Sequence, residues 1–304
     1  MTKFIPGLVH TPVTPFKADH AVDFDAYGRL IEFHVRHGAE ALALAMHCGE
    51  SVSLSDAEQR TLLQFALDKV GGRVPVIAHV SDSGTGIAVA RARNAQDIGA
   101  AAIVATTPYY WTPPPAMVLE HFAQIGAAVR IPFLILYSPA EMPGTRIGTD
   151  LVLKLISRLD NFAGVVDASL DWQFMVNIAW TAQRARPDFQ MLSGTEYMVS
   201  AGALGATSMF SALAGVAPRL VQRLHQRCRK EQYFEARPDQ EAISALRQIV
   251  KKGGFAGLKA ALRIMGRDCG VPRPPNAALN APAQTQVAAE LDAFAPLRDE
   301  PRGW

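Results

Sequence analysis

Short apolar runs alternate along the chain with stretches in which apolar residues recur every three or four positions. The first pattern suits strands buried on both faces, and the second suits amphipathic helices. Residues 7–16 form the first run, with prolines at places that suit strand ends. Residues 23–37 follow at helical spacing through Leu30, Ile31, Phe33 and His34, and residues 39–46 read as a second strand ending in His47-Cys48-Gly49-Glu50. Ser55 and Glu58 have capping-box spacing and open a helix whose buried stripe is Leu62, Leu63, Phe65 and Ala66. Further strands are predicted at 74–79, 101–105, 132–136, 161–169, 190–193 and 205–210, each followed by a helical pattern. Eight such repeats predict an α/β protein, a single (β/α)8 TIM barrel with additional C-terminal helices. A doubly wound sheet is the alternative, but no GxGxxG joins a strand to a helix. Residues 217–265 read as further helices, 271–280 as a Pro-rich ordered tail and 286–294 as a last helix. No linker is visible, so the barrel (1–215) and the C-terminal helical extension (216–304) are expected to form one structural unit.

Composition narrows the class. With 49% apolar and 19% charged residues, a chain of 304 residues can bury a substantial core and is not disordered. A formal charge of +2 argues for neither nucleic acid nor membrane as a partner. The basic run Arg227-Cys228-Arg229-Lys230 reads as a solvated helix face. Cys48, Cys228 and Cys269 are scattered without CxxC spacing, against a disulfide framework or structural zinc and in keeping with a cytoplasmic setting. No apolar segment reaches the roughly 18 residues of a membrane span, and the start of the chain lacks a signal-peptide core.

In such a barrel the reactive face is formed by the C-terminal ends of the strands. Those ends carry His47, Cys48 and Glu50, then His79, then Thr107, Tyr109 and Tyr110, then Tyr137 and Ser138, then Thr195 and Glu196. Each also has an ordinary reading. Glu50 and Glu196 suit helix caps or loop braces, His79 a hydrogen-bonded wall, and Tyr109-Tyr110-Trp111 beside three prolines a subunit contact. Tyr137 closes an apolar strand, where a buried phenol needs a partner or a task, which favours proton transfer or binding. In the stretch 161–169, Gly164, Val166 and Ala168 share one strand face, while Val165 and Asp167 share the other. The Val166 face holds nothing that can attack or move a proton.

Several motifs then line up in order: Val13-Thr14-Pro15-Phe16, Gly49-Glu50-Ser51, Val74-Pro75-Val76-Ile77 and Thr107-Pro108-Tyr109-Tyr110. They continue through Leu136-Tyr137, Leu192-Ser193-Gly194, Val216-Ala217-Pro218 and Leu258-Lys259-Ala260-Ala261-Leu262. Over nearly its whole length the chain resembles the dihydrodipicolinate synthase and N-acetylneuraminate lyase superfamily of (β/α)8 aldolases, the DapA-like proteins. The resemblance implies a lyase that binds a 2-oxo acid as a Schiff base on a lysine, within a Gly-Ile-Lys-Glu-type sequence ending strand six. Here that sequence is Gly164-Val165-Val166-Asp167, with Val166 at the lysine position. Lys3, Lys17, Lys69, Lys154, Lys230, Lys251, Lys252 and Lys259 all read as loop or outer-helix residues. Imine formation requires an unprotonated amine, which valine cannot provide.

Two further departures accompany the first. The family's Gly-Thr-Thr-Gly-Glu, whose threonines hold the substrate carboxylate and relay a proton, is replaced by Met46-His47-Cys48-Gly49-Glu50. The arginine that synthases often place after the strand-five tyrosine aligns with Met142, and Arg146 follows four residues later. The resemblance retains Tyr137, with Tyr110 reaching across a dimer interface and His47 replacing a threonine between them. It implies a catalytic set of Tyr137, His47 and Tyr110, in which a histidine titrating near neutrality sits between two phenols. Cys48, Gly49, Glu50, His79, Thr107, Ser138, Val166, Gly194 and Glu196 complete the expected substrate-binding set.

The favoured expectation is a lyase-like enzyme acting on a small 2-oxo or hydroxy acid by acid–base chemistry without a Schiff base. An enolate formed without an iminium sink needs oriented dipoles or a metal. No HxH or HExxH spacing points to metal, so neither metal nor cofactor is expected. Activated thiolate chemistry at Cys48 is a lesser variant. The alternative from another class is a catalytically inactive barrel that binds a metabolite or acts as a regulatory subunit. Ordinary imine chemistry on an unrecognised lysine is the third. A homodimer or homotetramer is expected from the resemblance, with residues 109–115 suited to the tight contact.

Overall fold

The strands are short segments whose residues are buried on both faces, as in the Phe-Leu-Ile-Leu-Tyr run Phe133–Tyr137. The computed structural model describes residues 4–142 and 145–304. Eight strands form a closed parallel barrel in chain order. They are β1 Leu8–His10, β2 Ala41–Leu44, β3 Val76–His79, β4 Ala102–Thr106, β5 Phe133–Tyr137, β6 Phe162–Asp167, β7 Gln190–Ser193 and β8 Met209–Ser211. The helices between them are α1 Phe24–Arg36, α2 Asp56–Val70, α3 Thr85–Asp97, α4 Pro115–Ala127, α5 Thr149–Arg158, α6 Trp172–Ala185 and α7 Met198–Ala203. After β8 come α8 Pro218–Arg229, α9 Tyr233–Lys251, α10 Gly254–Ile264 and α11 Ala281–Ala293. This is the expected (β/α)8 barrel with C-terminal helices. Among the described residues no helix is long and apolar enough to cross a membrane.

The chain divides into two compact units, one of residues 75–210 with the N-terminal stretch to Gly7, the other of residues 8–74 and 211–304. In the first unit, β5 and β6 are in register from Leu134↔Gly164 to Tyr137↔Asp167, and β6 and β7 from Gly164↔Gln190 to Asp167↔Ser193. Phe133 packs on Phe122 of α4, and Phe162 on Phe189. Strand alternation therefore turns Phe133, Ile135 and Tyr137 toward the helices, and Leu134 and Leu136 the other way. Gly164 is required by close approach, because a Cβ there would lie 2.4 Å from the Gln190 carbonyl oxygen.

In the second unit, β1 pairs with β2 through Val9↔Ala41. The capping box is present: Ser55 Oγ accepts from the Glu58 amide, and Glu58 accepts from the Ser55 amide. Arg267 is wholly buried, and its guanidinium stands 4.1 Å from the Phe33 ring while donating to the carbonyls of Gly215, Pro301 and Gly303. Those bonds replace the water that the charge has lost. His10 of β1 and His34 of α1 meet at 3.0 Å through their Nδ1 atoms, both buried.

Candidate active site

The ends of β5 and β6 bring a phenol and a carboxyl group together in the first unit. Tyr137 is buried with its ring 4.8 Å from Phe174 of α6, and its carbonyl accepts from the Ala168 amide at 2.8 Å. Its register partner is Asp167, which is 2% exposed. Ser169 Oγ donates to Asp167 Oδ1 at 2.7 Å, while Oδ2 is buried with no hydrogen-bond partner among the described residues. Asp171 caps α6 by accepting from the Phe174 amide.

Burial pushes the Asp167 carboxyl up to about 6 against the Ser169 hydrogen bonds, and the Asp171 charge adds to the rise. Burial also raises the Tyr137 phenol; Arg146 opposes that rise, and Asp167 and Asp171 reinforce it. The Gly194 amide donates to the Asp167 carbonyl at 2.6 Å, and a Cβ at Gly194 would lie 2.9 Å from that carbonyl. Ser138 is buried beside these groups in sequence, with its Oγ donating to Glu141 at 3.3 Å. Val166 is fully buried, in register with Leu136 and Leu192. At the position where the family's lysine is expected, three hydrocarbon side chains stand side by side.

At the end of β3, His79 Nε2 and Ser81 Oγ lie 2.7 Å apart, and Ser81 Oγ accepts from the Thr106 amide. Thr107 is buried just beyond β4. In the loop that follows, Ser83 holds the Tyr109 carbonyl, whereas Tyr110 is 100% exposed with φ +81°. A bulky residue in that left-handed region is strained. Glu196 is buried between β7 and α7.

In the second unit, His47 opens a 3-10 turn after β2 and is exposed, its ring 4.8 Å from Phe255 of α10. Cys48 donates to the Thr11 carbonyl, and the Gly49 carbonyl accepts from Thr14. Glu50 is 1% exposed and left-handed at φ +56°. Its Oε1 stands 2.8 Å from Lys259 Nζ, and its Oε2 accepts from the Arg273 amide. Lys259 thus departs from the expectation of an outer-helix residue. It lies on α10 but is buried, and its ammonium also donates to the Val271 carbonyl. Burial lowers its pKa, while Glu50 works the other way. Arg273 donates to both Glu58 oxygens and to the Ser53 and His20 carbonyls, and holds the Glu58 carboxyl down to about 2. Lys3 lies outside the described residues. Among those described, no group of three or more His, Cys, Asp or Glu is arranged to hold a metal ion.

Residues 5–294 match the model of the Dihydrodipicolinate synthetase family. The chain belongs to that family. Relatives within the dihydrodipicolinate synthetase family include an uncharacterized DapA-like lyase of Halobacterium salinarum, 31% identical over 292 residues, with 94% of this chain and 92% of the relative covered. Another is a 4-hydroxy-tetrahydrodipicolinate synthase of Caldicellulosiruptor saccharolyticus, 30% identical over 265 residues, covering 86% and 88%. The solved dihydrodipicolinate synthase from Aquifex aeolicus superposes with a TM-score of 0.89 at 27% identity, covering 97% of this chain and 100% of that one.

Two residues of consequence escaped the sequence. Asp167 was legible only as the partner of Val165 on a strand face, although a lone carboxylate ending an apolar strand is a signal in itself. Lys259 gave no signal, because its partner Glu50 lies 209 positions away in the chain.

Proposed function

We propose that this family member is a lyase-like enzyme acting on a small 2-oxo or hydroxy acid by acid–base chemistry, without a Schiff base. The observation that carries the reading is the buried Val166, set between Leu136 and Leu192 where the family resemblance calls for an amine. Nothing on that face can condense with a ketone, so proton movement falls to hydroxyl, imidazole and carboxyl groups. Tyr137 is the donor in this reading, and His47 is the base that removes a proton from the carbon next to the carbonyl. Tyr110, exposed and strained in the single chain, is held for a second copy of the protein in a homo-oligomer.

The test uses pyruvate as the probe. Borohydride added with pyruvate should leave the protein mass unchanged, and a stable adduct would return the protein to ordinary imine chemistry. In deuterated water, the wild type should exchange the pyruvate methyl protons for deuterium, and His47→Ala should slow that exchange at least tenfold. Pyruvate binding without exchange would favour the second reading, an inactive barrel that holds a metabolite.

A further inference from the structure

Asp167 is the buried ionisable group of the β5–β6 end to which the chemistry above gives no task. We propose that Asp167 is a positioning residue for Tyr137, its buried carboxylate driving the phenolate left after donation to take its proton back. This rests on the reading of Tyr137 as the proton donor. Three observations support it. Tyr137 and Asp167 end neighbouring parallel strands as register partners, and neighbouring strands lie about 4.8 Å apart, so their side chains leave the sheet on one face. The pair is pinned through its backbone, with the Ala168 amide on the Tyr137 carbonyl and the Gly194 amide on the Asp167 carbonyl. Lastly, Oδ2 of Asp167 is buried and accepts no hydrogen bond among the described residues, while Ser169 engages only Oδ1. Glu50 differs in having a cation beside it, with the Lys259 ammonium 2.8 Å from Oε1 and the Arg273 amide on Oε2.

The direction of the effect follows from charge. When Tyr137 gives its proton to a developing enolate or alkoxide oxygen, the O–H bond breaks, the new O–H bond forms on the substrate, and the negative charge passes to the phenolate. An ionised Asp167 beside it disfavours the phenolate, so the anion formed on donation is driven to recover a proton and Tyr137 returns to the phenol for the next turnover. The groups facing the pair are Asp171 at the start of α6, which acts in the same direction, and Arg146 after β5, which opposes it. Ser169 stabilises the Asp167 anion, and Ser193 of β7 is its uncharged register neighbour. Each proton taken or released at Asp167 is therefore felt at Tyr137 as a change in the charge beside the phenol.

The test needs no substrate. In protein carrying 13C at the tyrosine ζ carbon, the Tyr137 signal is identified by its loss in Tyr137→Phe. In the wild type it should show one inflection near pH 6, from Asp167, and a second above the ordinary tyrosine range. Asp167→Asn should abolish the first and move the second to lower pH, and Asp167→Glu, which keeps the charge, should restore both. A Tyr137 signal with no inflection near pH 6 in the wild type overturns the proposal even if Asp167→Asn does not fold. An upper inflection that stays in place in Asp167→Asn overturns it too. Absence of pyruvate exchange in the wild type would remove the proposed function, yet leave these titrations to decide the role of Asp167 on their own.

Discussion

At the scale of single residues, Glu50 and Asp167 differ in what stands beside them, an ammonium and an amide at one buried carboxylate and the Ser169 hydroxyl at the other. Glu50 is buried with an ammonium on one oxygen and an amide on the other, so removing either partner strands a charge away from water. Lys259→Ala should therefore destabilise the protein by about 3–5 kcal/mol in urea denaturation. Replacing both partners, as in Glu50→Leu with Lys259→Met, should cost clearly less, because no charge is then left unpaired. An equal loss in both proteins would mean that packing, rather than charge, holds this point. The sequence showed Glu50 as a loop brace or a substrate contact and could not choose between them. The choice depended on a partner 209 residues away, which no local pattern reveals. Val166 was different. Its identity and strand phase were readable at once, because strand alternation is a local property.

At the scale of elements, periodicity located every strand and most helices, because burial of one stripe or both faces leaves its mark in the order of residues. The capping box of α2 was visible in the sequence for the same reason, since both of its hydrogen bonds close within three residues. The loop between β4 and α4 was readable only in composition. Its aromatic and proline content suggested a contact surface, but not that Tyr110 would stand in a left-handed conformation with its side chain wholly exposed. Tyr110→Gly should relieve that conformation and raise unfolding stability by about 1 kcal/mol in dilute solution. The same substitution should slow pyruvate methyl exchange, as expected of a residue placed for a partner rather than for its own chain. Unchanged exchange would confine Tyr110 to the loop.

At the scale of the whole molecule, the response to acid follows from histidines kept neutral inside the protein. Burial depresses His34 to about 3 and His121 and His225 to about 4, against 6.5 for the free side chain. Their folded-state values lie below the unfolded value, so the unfolded chain takes up more protons between those limits. Stability is then complete above pH 6.5 and falls as pH drops toward 4, on the order of 1 kcal/mol per pH unit for each histidine. Denaturation midpoints measured from pH 7 to 4 should decline steeply, and His34→Gln should flatten the curve. A profile that His34→Gln leaves as steep as before would assign the acid sensitivity to other groups. The ion pair at Glu50 has a consequence for chemical labelling. Lys17, Lys69, Lys154, Lys230, Lys251 and Lys252 are all exposed, whereas the Lys259 ammonium is enclosed and committed. Formaldehyde with a mild reductant should dimethylate those six and pass over the seventh, until denaturant opens the chain and releases it.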